Sequence, residues 1–212
     1  MRLPHHPEAV DAMRTPTEND PWRILISGCI AGLPCGVDGT DYGLVKAQPA
    51  WLTDARVKCF SFCPEDFGLG TPRTMPDMHG GDGFAIIEGK GKVLDENRVD
   101  LTEGMLKGAH AMLALAQKEE IDFAVLTDRS GACGSQVISI GCRFEEPVQH
   151  RHGVGVATAL LLKHGFSVVS QRDPLTLGRL GAKLNAAYAP GPDVVDHHEH
   201  PWVLDNLPRL DT

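Results

Sequence analysis

RILISGC, residues 23–29, is a run of apolar side chains closed abruptly by a glycine and a cysteine. It has the length of a strand, and its apolar residues are consecutive rather than alternating, which suits a strand covered on both faces in a parallel sheet. Three runs of similar character follow: VKCFSFC (57–63), stopped by Pro64, then FAVLT (123–127) and FSVVS (166–170). Helical patterns fill the intervals. From Leu101 to Glu120 the positions Leu101, Met105, Leu106, Ala109, Met112, Leu113 and Ala116 recur at helical spacing, with Asp100 and Glu103 as a capping start. Further helices are predicted over about 156–164, stopped by Gly165, and about 175–188. Strands alternating with helices predict an α/β fold: an open, mostly parallel, Rossmann-like sheet with helices on both faces. FAIIEGKGKVLD (84–95) and QVISIGCRF (136–144) read as short hairpins or edge strands added to that sheet.

Outside this frame the chain changes character. Residues 1–21 are rich in Pro, His and charge and read as a flexible lead-in, residues 22–189 as one domain, and the Pro-rich residues 190–212 as a tail that wraps the domain or hangs free. The chain has 212 residues, 42% hydrophobic and 23% charged, enough for one sizeable core. No apolar run reaches bilayer length and the first residues lack the apolar stretch of a signal peptide, so the expectation is a cytoplasmic protein with no membrane partner, as monomer or homodimer. The net charge is −8 and the 20 Lys and Arg are scattered, which argues against a nucleic acid polymer as partner.

Six cysteines in a reducing compartment suggest metal binding or chemistry before a disulfide framework. Cys29 ends the first strand, Cys63 ends the second, and Cys133 lies in RSGACGS (129–135) just after the third. In an open parallel sheet the carboxyl ends of the strands form the crevice where ligands bind, so these three share an edge. Three thiolates gathered there repel one another unless a cation holds them. The bland alternative, buried small hydrophobes, weakens when all three stand beside turn-forming Gly28, Pro64, Gly131 and Gly134. Cys35, in GCIAGLPCGVDG (28–39), is near enough to serve as a fourth ligand or a reactive neighbour, whereas Cys59 and Cys142 read as structural. Arg73 is placed to set a guanidinium over the crevice, against a substrate carbonyl or oxyanion. The cysteines point to one metal centre, an iron-sulfur cluster before zinc. A 4Fe-4S cluster on three cysteines leaves one iron free for a substrate atom, while zinc on three cysteines and a water is also chemically reasonable.

SGCIAGLPCGVDG (27–39), CPEDFGLGTPRTMPDMHGGDG (63–83), DLTEGMLKGA (100–109) and SGACGS (130–135) resemble, in order, the motifs of the thiouracil desulfidase family. The resemblance covers most of residues 23–172. It implies a 4Fe-4S cluster on Cys29, Cys63 and Cys133, and non-redox removal of sulfur from a small thiolated compound such as thiouracil, with the substrate sulfur on the unique iron and water attacking the carbon. It also implies that Glu65 and Ser130 handle protons and water, and it leaves Cys35, Asp38 and Arg73 as candidates for substrate contact. Gly36, Val37, Asp38 and Gly39 stand where the family usually has Arg-Tyr-Asp-Gly, and Thr127, Asp128 and Arg129 where many relatives carry Lys. The acidic surface favours a free base or nucleoside over a thiolated tRNA. Two other classes stay open: an iron-sulfur electron-transfer or redox-sensing module with Cys35 as fourth ligand, and a zinc-binding protein.

Three further features have simpler readings. HGGDG (79–83) resembles a phosphate loop but precedes the strand-like FAIIE, so Asp82 is expected to cap a turn. His197, His198 and His200 read as a solvated cluster in the tail. GVGVATALLLKHGF (153–166) reads as a core helix whose small residues permit close packing on the sheet.

Overall fold

The structure, a computed structural model, describes residues 1–207, so the last five residues of the expected tail lie outside it. In chain order its elements are α1 (Pro7–Ala12), β1 (Trp22–Ser27), β2 (Val57–Phe62), α2 (Pro64–Leu69), β3 (Asp77–His79), α3 (Gly83–Ile87), β4 (Lys92–Leu94), α4 (Thr102–Lys118), β5 (Phe123–Leu126), β6 (Val137–Ile140), β7 (Gln149–His152), α5 (Val156–Lys163), β8 (Val168–Ser170), α6 (Pro174–Ala182) and α7 (Pro201–Asn206). The four apolar runs form one parallel sheet in the order β2-β1-β5-β8, and the α/β fold is the one the sequence pattern predicts.

Successive side chains of a strand point to opposite faces, and here both faces are covered. Leu25, Ala124, Leu126 and Val168 pack with Met105, Met112 and Leu160 from α4 and α5. Ile24, Ile26, Phe123 and Val125 pack on the other side with Trp51, Leu177 and Leu180. Each such side chain, when fully buried, contributes about 1.5–3 kcal/mol. β2 departs from this pattern. It is the edge strand, its side chains are half-buried or exposed, and Cys59 is exposed on it.

Several residues of the lead-in pack on the domain. Leu3 and Val10 are buried in the second core layer, the Met1 ammonium donates to the Phe166 carbonyl at 2.7 Å, and Arg2 bridges to Val168 at the edge of β8. A stretch rich in Pro and His hides its few apolar residues in composition, yet two of them suffice to anchor it. At the other end Val203 and Leu207 pack with Val137, so the described part of the tail lies on the domain.

Both expected hairpin segments are corrected in part. FAII forms α3, because the Asp82 carboxylate accepts the Phe84 and Ala85 amides and caps a helix rather than a turn. That side chain also fills the end of the helix that a phosphate loop would use. β3 with β4 and β6 with β7 then pair as two separate antiparallel ribbons, outside the main sheet. α4 begins at Thr102, whose amide is held by Asp100 Oδ1 at 3.0 Å.

Candidate active site at the sulfur-lined rim

β1 and β2 run in register to Ser27 and Phe62, so Cys29 and Cys63 leave the sheet at the same edge. A cavity of about 330 Å³ opens there, lined by Cys29, Cys35, Cys63, Cys133, Glu65 and Ser130 among others. Its volume is at the lower end of the roughly 300–1,000 Å³ typical of small-molecule sites. Cys59 and Cys142 do not line it.

Each cysteine has a local reason for its position. Cys63 is the N-cap of α2, its Sγ accepting the Asp66 amide at 3.4 Å, and Pro64 begins the helix at a position that needs no amide donor. α2 is pressed against α4, where a Cβ on Gly108 would lie 1.8 Å from the Pro64 carbonyl oxygen; glycine is required for that approach. The loop after β1 folds back so that Cys35 returns to the rim, and a Cβ on Gly28 would stand 3.2 Å from Cys35 Sγ and 3.2 Å from Cys63 Cβ. Cys29 Sγ lies 3.0 Å from Thr127 Oγ1 at the end of β5. Cys133 sits in a buried turn docked on the start of α5, whose Val156 and Ala157 amides donate to Gly131 and Ala132 and whose Thr158 hydroxyl donates to the Cys133 carbonyl at 2.8 Å. The close-packed core helix expected from the small residues of 153–166 is therefore present, and it supports the cysteine loop.

The sulfurs differ in protonation. Hydrogen bonding from Cys35 brings the Cys29 thiol down to about 7, with Thr127 adding to the effect. Cys63 is lowered for the same first reason. Cys35, bonded to both, is pushed up. Burial drives Cys133 well up, and the neighbouring Cys63 and Cys29 raise it further. The thiolate form is thus favoured at Cys29 and Cys63, while burial opposes it at Cys133 unless a cation enters the cavity.

Glu65 is held on both oxygens. Oε1 accepts the Ser130 hydroxyl at 3.0 Å and Oε2 accepts Arg73 Nη2 at 2.7 Å. Ser130 Oγ in turn accepts the Ala132 and Cys133 amides at 3.2 and 3.1 Å, so one hydroxyl joins the carboxylate to the cysteine turn. Arg73 lines the cavity but is bound inward, its Nη1 donating to the Cys35 and Gly70 carbonyls and to Thr71 Oγ1. It clamps the Cys35 loop to Glu65, and only its Nε is without a partner. Asp38 is exposed, accepts the Thr40 amide and hydroxyl, and is absent from the cavity wall, although the neighbouring Gly36 and Val37 line it. A short turn closed by its own side chain carries it outward.

The tail histidines are also corrected, because they are not one solvated cluster. His197 is buried against Asp128, the His198 ring lies 4.4 Å from that of His5, and His200 Nδ1 caps α7. Asp128 lines the cavity, as does Arg129, whose guanidinium lies 4.0 Å over the Trp202 ring. Thr127, Asp128 and His197 escaped sequence reasoning. Thr127 and Asp128 stand at the carboxyl end of a strand, a position that could have signalled the first two; His197 carried no such mark.

Among the described residues, no three His, Cys, Asp or Glu side chains are grouped to hold one metal ion. The donor set fits a larger inorganic core, with sulfurs distributed around a cavity and a carboxylate beside them. Among the described residues no helix is long and apolar enough to cross a membrane.

Comparison with known proteins agrees with this geometry. The profile of 2-thiouracil desulfurase matches residues 24–173. An uncharacterised protein of Bacillus subtilis (strain 168), YbbK, is 31% identical over 151 residues, covering 71% of this chain and 96% of its own length. The solved structure of a 4Fe-4S-dependent thiouracil desulfidase, TudS, aligns with a TM-score of 0.57 and 34% identity over 70% of this chain and 90% of that one. The matched stretch ends at Asp173 and contains every rim cysteine, whereas α6, His197 and α7 lie beyond it.

Proposed function

The chain belongs to the 2-thiouracil desulfurase family, and from that premise we propose that it is a 4Fe-4S-dependent enzyme that hydrolyses the carbon-sulfur bond of a small thiolated base or nucleoside. The observation that carries the reading is the convergence of Cys29, Cys63 and Cys133 on one cavity beside Glu65, a carboxylate fixed on both oxygens. TudS, described as 4Fe-4S-dependent, supports the choice of cofactor. Cys29, Cys63 and Cys133 would hold the cluster. Bound there, it would supply an iron without a protein ligand, a Lewis acid toward the substrate sulfur.

The chain's own groups do the rest. Glu65 is the general base, taking a proton from the water that attacks the thiolated carbon, and then the acid that delivers it to the departing sulfur. The reaction is hydrolysis: the carbon-sulfur bond breaks, a carbon-oxygen bond forms, and sulfur leaves at the sulfide level with no change of oxidation state. Arg73 keeps Glu65 turned toward the cavity. Ser130 keeps the same carboxylate in register with the Cys133 turn. Free thiols at the rim suit a reducing compartment such as the cytoplasm.

Cys35 favours a second reading, because it stands between Cys29 and Cys63 and could close the centre as a fourth ligand of a redox module. Anaerobic reconstitution of wild type and Cys35→Ala separates the two. On the desulfidase reading both proteins take up about four irons with matching sulfide, and thiouracil changes the spectrum and yields uracil. Loss of the cluster in Cys35→Ala, with no response of wild type to thiouracil, would establish the module instead. Zinc near one equivalent with no iron or labile sulfide would retire both.

A further inference from the structure

The wall behind the cysteine loop is supplied by a part of the chain outside the family match. Asp128 closes β5, and its Oδ1 lies within hydrogen-bonding distance of the Arg129, Ser135, Gln136 and Val137 amides at 2.9–3.3 Å. Those amides flank Ser130 and Cys133 on both sides, so a single carboxylate oxygen gathers the two ends of the loop. The other oxygen, Oδ2, accepts His197 Nδ1 at 2.6 Å, with His197 4% and Asp128 0% exposed at the side chain. Burial alone would push the Asp128 carboxyl up, but His197 and the amides outweigh it and hold the group below the usual carboxylate range. Asp128 is therefore an acceptor on both oxygens, and Nδ1 carries the proton between them.

His197 is itself fixed from behind. Its amide donates to Asp173 Oδ1 at 3.1 Å, and the preceding residue, Asp196, accepts the Thr176 amide at 2.9 Å and hydroxyl at 2.6 Å in the first turn of α6. Hydrogen bonds thus link α6 to Asp196 and, across the Asp196–His197 peptide, His197 to Asp128 and the loop of Ser130 and Cys133.

We infer that His197 is a positioning residue for the site: acting through Asp128, it holds the loop that presents Cys133 and Ser130, and the C-terminal extension supports the active site from behind without lining its cavity. The inference rests on the reading of Cys133 as a cluster ligand only for its consequence in catalysis; the placement of the loop stands apart from it. Without the imidazole, one oxygen of a buried carboxylate has no donor, and the loop must shift or the carboxyl must take up a proton. Groups that contact a metal ligand directly are worth about 10–100-fold in metal affinity or activity, and His197, acting through Asp128 and the loop amides, is expected at the lower end of that range.

The test compares His197→Ala, His197→Asn, whose amide nitrogen can replace Nδ1 as donor, and Thr176→Val, which loosens the same segment without touching Asp128. In reconstituted protein, His197→Ala should lose iron to a chelator about tenfold faster than wild type and lower kcat about tenfold with KM within about twofold, while His197→Asn recovers most of both. Thr176→Val, one link further back, should show the same two changes to a smaller degree. Hydrogen exchange on the cluster-free proteins reads the loop directly: amides 129–137 should exchange faster in His197→Ala than in Thr176→Val. Equal exchange and equal iron loss in His197→Ala and Thr176→Val would overturn the proposal, as would failure of His197→Asn to recover. If wild type takes up no iron, the desulfidase reading falls, and the exchange comparison alone still decides the role of His197.

Discussion

Two polar regions meet at the carboxyl ends of the same strands, and they are built on opposite terms. Behind the rim, Asp128, Asp173 and Asp196 are buried carboxylates, each matched with donors from amides, His197, Gln136 or Thr176. At the rim, the sulfurs of Cys29, Cys35 and Cys63 have chiefly one another, and burial pushes the Cys133 thiol well up. A region whose charges are already matched can only hold shape, whereas one whose ligand atoms lack a cation is completed by what enters it.

Changes at the rim should therefore abolish function and spare the fold. The largest effect is expected for Cys133→Ala, which should retain less than about a tenth of the wild-type iron and sulfide after reconstitution, with an unchanged far-ultraviolet circular dichroism spectrum. Full retention of the cluster would move the centre elsewhere on the rim. Next is Glu65→Gln. It keeps the shape of the side chain but removes the base, so kcat for thiouracil should fall by about 10²–10⁴-fold while iron content stays at the wild-type level. A variant that loses iron in step with activity would make Glu65 a support for the cluster instead.

The smallest effect belongs to the network behind and appears in stability rather than turnover. Burial first, and the nearby Asp196 second, push the Asp173 carboxyl up to about 7. Since the folded form holds that proton more tightly than the unfolded chain, its contribution to stability is complete below about pH 4 and is lost as pH rises through about 7. Urea unfolding of cluster-free protein across this window should show a decline of up to about 1.4 kcal/mol per pH unit from this group. Asp173→Asn, which cannot ionise, should flatten it. An identical slope in both proteins would assign the pH dependence to other carboxylates and blur the distinction between the two regions.

The parts of the molecule that could be read in advance are those whose cause is local. β1 and β5 declare themselves because a strand buried on both faces needs consecutive apolar residues, and α4 because one apolar stripe recurs at helical spacing. The shared edge of Cys29, Cys63 and Cys133 follows once the strands are parallel. FAII reads as a strand in the sequence, yet four apolar residues suit a helix equally well, and one hydrogen-bonding carboxylate at Asp82 makes it helical. Asp38 shows the converse: it lies in the right motif, yet a two-residue turn directs its side chain away from the cavity.

Sequence by itself determined the class of the fold, the edge at which the cysteines gather and the residue types available there, because apolar spacing and strand direction are properties of neighbouring residues. Tertiary structure alone decided that Cys35 stands between Cys29 and Cys63, that Arg73 clamps rather than reaches outward, and that His197 closes on Asp128 across 69 residues. Those pairings depend on which buried donor finds which buried acceptor, and an unmatched polar group in the interior is costly enough to select one arrangement that no local pattern records.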